Sequence, residues 1–132
     1  MKQSYTDGPY RTFSEEVAGA LDGKEGYVLE LGATGGVQLY TNSAKPIGVM
    51  VGKLQGSGVT DINVRLLGKG GTVKVVQGGA IAVNSRVKPA NGGKVVVSAG
   101  GGERCIGLKI QPVANAADGE FCEIIDALEY VP

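Results

Sequence analysis

The sequence contains no histidine and no tryptophan, and its only aromatic residues are two phenylalanines and five tyrosines. Without histidine, the Ser-His-Asp and Cys-His arrangements of nucleophilic catalysis are excluded, as are histidine metal ligands. So few aromatic rings do not make a platform that stacks bases or sugars. No apolar run approaches the roughly 18 residues of a membrane span, and the polar N-terminus lacks the hydrophobic region of a secretory signal. We therefore expect a non-enzymatic protein of a cytoplasm-like compartment, with no catalytic residue, metal or cofactor.

The two cysteines, Cys105 and Cys122, are too few for a four-ligand zinc site. Both lie in strand-like apolar runs. We favour buried free thiols over a disulfide, and the sequence leaves their redox state open.

Glycine is abundant, with 23 residues among 132. The glycines separate short runs of valine, isoleucine and leucine, which is typical of strands joined by tight turns. Segment 15–21 is the only candidate for a helix, since no other stretch approaches helical apolar spacing. Strands are predicted over residues 27–31, 37–41, 47–54, 60–67 and 72–76. The fourth of these alternates apolar and polar residues, which predicts one solvent-facing side.

The second half of the chain repeats the first. Residues 33–37 correspond to 90–94, 46–49 to 105–108, 19–21 to 79–81, and 60–67 to 120–127. The matched glycines are Gly35 and Gly36 with Gly92 and Gly93 in hairpins, and Gly48 with Gly107 inside strands. About 55 residues hardly bury a core alone. We therefore predict an all-β fold: a single compact β-barrel or β-sandwich, β-tulip or jelly-roll-like, over residues 17–132, built from related halves at about 18–76 and 78–130.

Residues 1–16 are predicted to form an extended N-terminal arm, because they are polar and show no sustained period. The arm is either disordered or ordered by lying on a neighbour, and its large side chains favour docking. The candidate contact residues are Tyr5, Tyr10, Arg11 and Phe13.

The net charge is zero, but it is unevenly distributed. Residues 31–109 carry ten basic and two acidic side chains, whereas residues 110–132 carry five acidic side chains and no basic one. The acidic side chains of the second segment either pair with central lysines of the same subunit or meet a neighbouring subunit. The candidates for an electrostatic interface are Asp118, Glu120, Glu123 and Glu129. The basic residues are spread singly, which does not favour direct binding of nucleic acid.

The chain resembles the decoration, or cement, proteins of tailed double-stranded DNA bacteriophages over about residues 18–126. The resemblance lies in VLELG (28–32), GGVQL (35–39), PIGV (46–49), GTVKV (71–75), GAI (79–81), GGKVV (92–96) and IGL (106–108). It implies a β protein on the outer surface of the virion that reinforces the expanded head against the pressure of packaged DNA. The implied partners are the major capsid protein and further copies of the chain, as a homotrimer or homodimer, with assembly in the host cytoplasm and no membrane.

Two alternatives belong to other classes. Lipoyl- or biotinyl-type carrier domains are also duplicated β structures, and Lys53 and Lys69 lie near turns, although neither has the residues that flank a modified lysine. A receptor- or glycan-binding surface module is disfavoured by the scarcity of aromatic residues.

Overall fold

Ten β-strands account for the regular structure in the computed structural model, which describes residues 9–42, 45–53, 60–100, 103–114 and 117–131, without the side chains of 129–131. The strands are β1 (Tyr10–Ser14), β2 (Val28–Leu31), β3 (Val37–Leu39), β4 (Gly48–Lys53), β5 (Asp61–Leu66), β6 (Thr72–Val76), β7 (Arg86–Pro89), β8 (Val95–Val97), β9 (Glu103–Gln111) and β10 (Phe121–Val131). These described ranges contain no helix, and segment 15–21 forms a bend and turns instead. The all-β prediction is confirmed.

The strands form two five-stranded antiparallel sheets that pack together as a β-sandwich. The first sheet has the order β1-β5-β4-β2-β3 and the second the order β6-β10-β9-β7-β8. A parallel bridge joins Glu15, just after β1, to Val37 of β3, and Gln77, just after β6, is bridged to Val95 of β8 in the same way. The outermost strands of each sheet therefore meet at one point, so each sheet curls around its own set of apolar side chains.

The two sheets have the same topology: β1 to β5 form the first half and β6 to β10 the second. β6, which was predicted to end the first half at residue 76, therefore begins the second half. Leu29 pairs with Leu39 in the first sheet, and Val87 pairs with Val97 in the second, 58 residues later in both strands. The left-handed backbone conformation also recurs at matched positions, in Gly26 and Asn84, Gly35 and Gly93, and Asn42 and Gly100. The hairpins correspond at 58 residues and not at the predicted 57, because a glycine-rich turn aligns equally well in neighbouring registers. Gly35 is therefore the counterpart of Gly93.

The predicted boundary of the N-terminal arm at residue 16 differs from the structure. Residues Tyr10–Ser14 form β1, paired along its whole length with β5. β1 occupies the place in the first sheet that β6 occupies in the second. It has little apolar pattern because four of its five side chains are exposed at the sheet edge. Residues 1–8 lie outside the described part of the chain.

Two apolar clusters form the core. The first lies within the first half and contains Leu21, Leu29, Val37, Met50, Ile62 and Val64. The second fills the second half and extends into the contact between halves, where Val28, Tyr40, Val49 and Leu67 of the first half join it. The shared cluster makes the two halves one packed unit.

Gly48 and Gly107, which were predicted as strand glycines, allow two strands to approach closely. A Cβ atom added at Gly48 would lie 2.7 Å from the carbonyl oxygen of Arg65. The same atom at Gly107 would collide with the carbonyl oxygen of Ile125, the matching position of the second half. Gly52 lies in the same strand as Gly48, and a Cβ atom there would meet nothing within 4 Å.

We expect Gly48→Ala and Gly107→Ala each to lower the free energy of unfolding by about 1–3 kcal/mol, because the added methyl group forces paired backbones apart. Gly52→Ala is the matched control and should change it by less than about 0.5 kcal/mol. Urea unfolding measures all three. Equal effects of Gly48→Ala and Gly52→Ala would contradict the close-approach role.

Candidate functional site

β1 places the predicted N-terminal contact residues in different surroundings. The Tyr10 side chain is exposed, whereas Phe13 is half-buried against the core of the first half. The guanidinium carbon of Arg11 lies 5.3 Å from the centre of the Phe13 ring, within cation–π range. Tyr5 lies outside the described residues. Among the described members of this set, Tyr10 is therefore the one whose ring is exposed to another molecule.

Tyr10 borders an apolar cleft of about 340 Å³ at the junction of the two halves. Two further large side chains, Val51 and Phe121, border it, and the three are 53%, 44% and 50% exposed. Val49 and Val73 contribute buried apolar surface to its lining. Large apolar side chains gathered around one cleft are typical of surfaces that bind another protein.

Val51 and Phe121 were not among the predicted contact residues. The pairing of β4 with β5 shifts register between Met50 and Gly52, so that Val51 bulges outward. Phe121 stands 60 residues after Asp61, where the first half has a carboxylate. An aromatic replacing an acid between two repeats is the signal that could have identified it.

The predicted acidic residues of the C-terminal segment are spread over different contacts. Asp118 forms a surface ion pair of 3.0 Å with Lys94, and Glu120 accepts a hydrogen bond from the Ala117 backbone N–H at 3.1 Å. Glu123 is half-buried on β10, and the Glu129 side chain lies outside the described part. Asp118 therefore pairs with Lys94 of the same subunit, which was one of the two predicted alternatives. A role of these residues toward a neighbour stays a prediction.

A buried ion pair involves Asp126, which was not among the candidates. Its carboxylate lies 2.9 Å from the Arg65 guanidinium, and both side chains are buried. It also accepts hydrogen bonds from the backbone N–H groups of Gly68 and Lys69 at 2.8 and 2.9 Å. Arg65 was expected on a solvent-facing side of β5, but that side is covered by the second half. This ion pair joins the two halves.

Two buried carboxylates of the first half bind its own backbone. Glu30 accepts hydrogen bonds from Gln38 and from the backbone and side chain of Thr41. Burial opposes ionisation, but these donors outweigh it and hold the pKa of Glu30 below its ordinary value near 4.5. In Glu15 burial again raises the pKa, but hydrogen bonds from Lys53, Leu21 and Gly19 lower it by more. The pKa of Glu15 therefore lies below its ordinary value.

The predicted hairpin glycines have distinct structural roles. Gly35 and Gly93 adopt φ values of +90° and +93°, and Gly92 one of +97°. A Cβ atom at Gly36 would lie 2.8 Å from the backbone nitrogen of Glu16. A Cβ atom at Gly93 would lie 2.9 Å from the carbonyl oxygen of Val28, in the other half. Gly93 therefore also serves the contact between halves.

The two cysteine thiols and the Lys109 amine are buried. Cys105 and Cys122 are free thiols, and burial raises the pKa of Cys122. Lys109 is buried where the first half has Met50, and its Nζ donates a hydrogen bond to the Ile81 carbonyl oxygen at 2.5 Å.

Among the described residues, no group of three histidine, cysteine or acidic side chains is placed to hold a metal ion. No helix in the described ranges is long and apolar enough to span a bilayer.

Comparisons with models of protein families, with curated proteins and with solved structures found no match to this chain.

We expect Asp126→Ala to lower the free energy of unfolding by about 3–5 kcal/mol, because it leaves the Arg65 charge buried without its carboxylate. Asp118→Ala, which removes a solvent-exposed ion pair, should cost less than about 1 kcal/mol. Chemical denaturation of both variants measures the difference. Similar losses would show that the Arg65–Asp126 pair does not hold the halves together.

Stability should fall as pH drops below the ordinary pKa of Glu30. Its folded pKa is lowered, so its ionised form contributes stability above about pH 4.5, and that contribution is lost on acidification toward the folded pKa. Glu30→Gln should flatten the decline in unfolding free energy between about pH 7 and about pH 3. Glu25→Gln, a change at an exposed glutamate, is the control. An unchanged slope for Glu30→Gln would rule out this contribution.

Proposed function

We propose that this protein is a structural virion component, a decoration protein that binds the outer surface of an expanded phage head and stabilises it. The proposal rests on the apolar cleft bordered by Tyr10, Val51 and Phe121, together with the sequence resemblance to phage cement proteins. Burying one such side chain at an interface contributes about 1.5–3 kcal/mol. Three around one cleft suit a protein partner such as the major capsid protein.

The architecture supports a reinforcing role. Both sheets bring their outermost strands together, and buried carboxylates such as Glu30 fix the hairpins of the first half. A rigid body keeps its binding residues in place and loses little entropy on docking. Copies joined to one another engage several lattice subunits at once, and effective concentration then strengthens each weak contact.

The carrier-domain alternative requires a lysine that can enter the site of a modifying enzyme. The Lys53 Nζ lies 2.8 Å from a carboxylate oxygen of Glu15 and 3.0 Å from one of Asp22. Lys69 lies in the β5–β6 turn, where its backbone N–H binds Asp126. The ion pairs of Lys53 do not favour this alternative, and Lys69, although exposed, lacks the residues that flank a modified lysine.

Replacing Phe121 tests the proposed function. Phe121→Ser removes an exposed ring from the cleft and should weaken binding to heads assembled without this chain by roughly 30-fold, the equivalent of about 2 kcal/mol. Co-sedimentation of purified protein with such heads measures the affinity. Val113→Ser, at a side chain that is 77% exposed and lies outside the cleft, should bind as the unchanged protein does. Unaltered binding of Phe121→Ser would argue against the cleft as the capsid contact.

A further inference from the structure

The contact between the two halves uses a different surface of each. The first half contributes an outer sheet face, the covered face, on which Gly26, Val28 and Tyr40 exchange backbone hydrogen bonds with the second half. The second half contributes the leading surface, which includes Val76, Gly92 and Gly93. Val76 binds Gly26 at 3.0 Å, Gly93 binds Val28 at 2.7 Å, and Gly92 binds Tyr40 at 2.8 Å. Because each half has both kinds of surface and the contact uses only one from each, two surfaces remain outside it. They are the outer sheet face of the second half and the leading surface of the first half.

The outer sheet face of the second half, called the open face, carries a cleft of about 420 Å³. Its lining is Asn84, Ser85, Arg86, Val97, Ser98 and Leu108. By the strand registers these residues correspond to Gly26, Tyr27, Val28, Leu39, Tyr40 and Val49 of the first half. Val28, Tyr40 and Val49 are buried in the core shared by both halves, whereas Arg86 is exposed, and Ser98 and Leu108 are only partly buried. The cleft is thus the uncovered equivalent of the covered face.

The leading surface of the first half includes an exposed hairpin with the backbone of its counterpart. Thr34 and Gly35 occupy the places of Gly92 and Gly93, and both are exposed. The two hairpins close with the same backbone bonds, from Gly32 to Gly36 at 2.7 Å and from Ala90 to Lys94 at 2.8 Å. A second copy of the chain can therefore present this hairpin to an open face.

The residue pairs that such docking would create are chemically matched. Arg65 and Asp126 form the ion pair between halves, and their counterparts are Ile125 and Leu66, a pair of aliphatic side chains. Ile125 is 41% exposed on the open face. Both members of the ion pair are replaced together, so neither an unpaired charge nor an isolated apolar group would be buried.

One further pair shows the same agreement. Phe121 lies against Gly26, and their counterparts are Asp61 and Asn84, a carboxylate and an amide that can hydrogen bond. Gly92 binds Tyr40, and their counterparts are Thr34 and Ser98, whose hydroxyl groups donate to Glu16 and Glu103 of the same chain and remain available as acceptors.

We propose that copies of this chain associate head to tail, with the leading surface of the first half of one copy docked on the open face of the second half of the next. Head-to-tail contacts close into a ring when the rotation between successive units allows it. The inference specifies the self-association within the proposed function and rests on it in that respect. Its test needs no capsid, so each can fail without the other.

Ile125→Arg tests the open face. An arginine opposite Leu66 would be buried without a carboxylate, so we expect the self-association constant of the full-length chain to fall more than about tenfold. Sedimentation velocity over a concentration series measures it. Val113→Arg places the same charge at an exposed valine outside both surfaces and should leave association unchanged. A monomeric unchanged protein, or association that survives Ile125→Arg, would overturn the proposal.

Cross-linking tests the direction of docking. The backbones at Gly92 and Tyr40 are in hydrogen-bond contact, so cysteines at the equivalent positions of two docked copies come within disulfide range. Oxidation of a mixture of Thr34→Cys and Ser98→Cys should yield a covalent dimer containing one of each, while either variant alone yields none. The natural cysteines are buried and do not compete. Dimers of Ser98→Cys alone would show a face-to-face contact and overturn head-to-tail docking.

Discussion

The buried ion pair between Arg65 and Asp126 is the contact on which the arrangement of the two halves depends. Two charges removed from water are stabilised only when geometry and additional hydrogen bonds compensate for the lost hydration. Asp126 meets this condition through Arg65 and two backbone N–H groups of the turn that links the halves. The pair therefore fixes both the relative position of the sheets and the path of the chain between them. Valine, tyrosine and leucine side chains of the first half then complete the core of the second.

The two halves share one strand topology, but side chains at matched positions differ in size in a compensating way. Glu16 packs over the first hairpin, where a Cβ atom at Gly36 would meet its backbone at 2.8 Å. In the second half Gly78 stands in place of Glu16, and Lys94, in place of Gly36, lies against it. A large residue faces a small one in both copies, with the sides exchanged. The exchange leaves the hairpin contact filled by one long side chain in each half.

The same duplication accounts for the difference between the two outer sheet faces. Strand pairing uses the backbone, which is alike in both halves, so side chains on the outer faces are free to diverge. In the first half the outer face is apolar and covered, whereas in the second it carries Asn84, Ser85 and Ser98 and lies open. The apolar cleft arises where the halves meet, from β1 and β4 on one side and β6 and β10 on the other. The duplication thus leaves surfaces that differ in side chains on matching strands.

Much of the fold could be predicted from the sequence, because glycine turns and short β-branched runs act locally. These patterns determined the all-β class, the strands from Val28 to Val76 within a few residues, and the duplication that pairs Gly48 with Gly107. β1 could not be predicted in this way, since four of its five side chains face outward and its apolar signal is one residue, Phe13. Only the tertiary structure decided that Arg65 is buried, that Phe121 and Val51 join Tyr10 in one cleft, and that one outer sheet face is covered while its copy is open. The reason is physical: turn and strand preferences depend on neighbours along the chain, whereas burial of a charge or exposure of a ring depends on which distant surface packs against it.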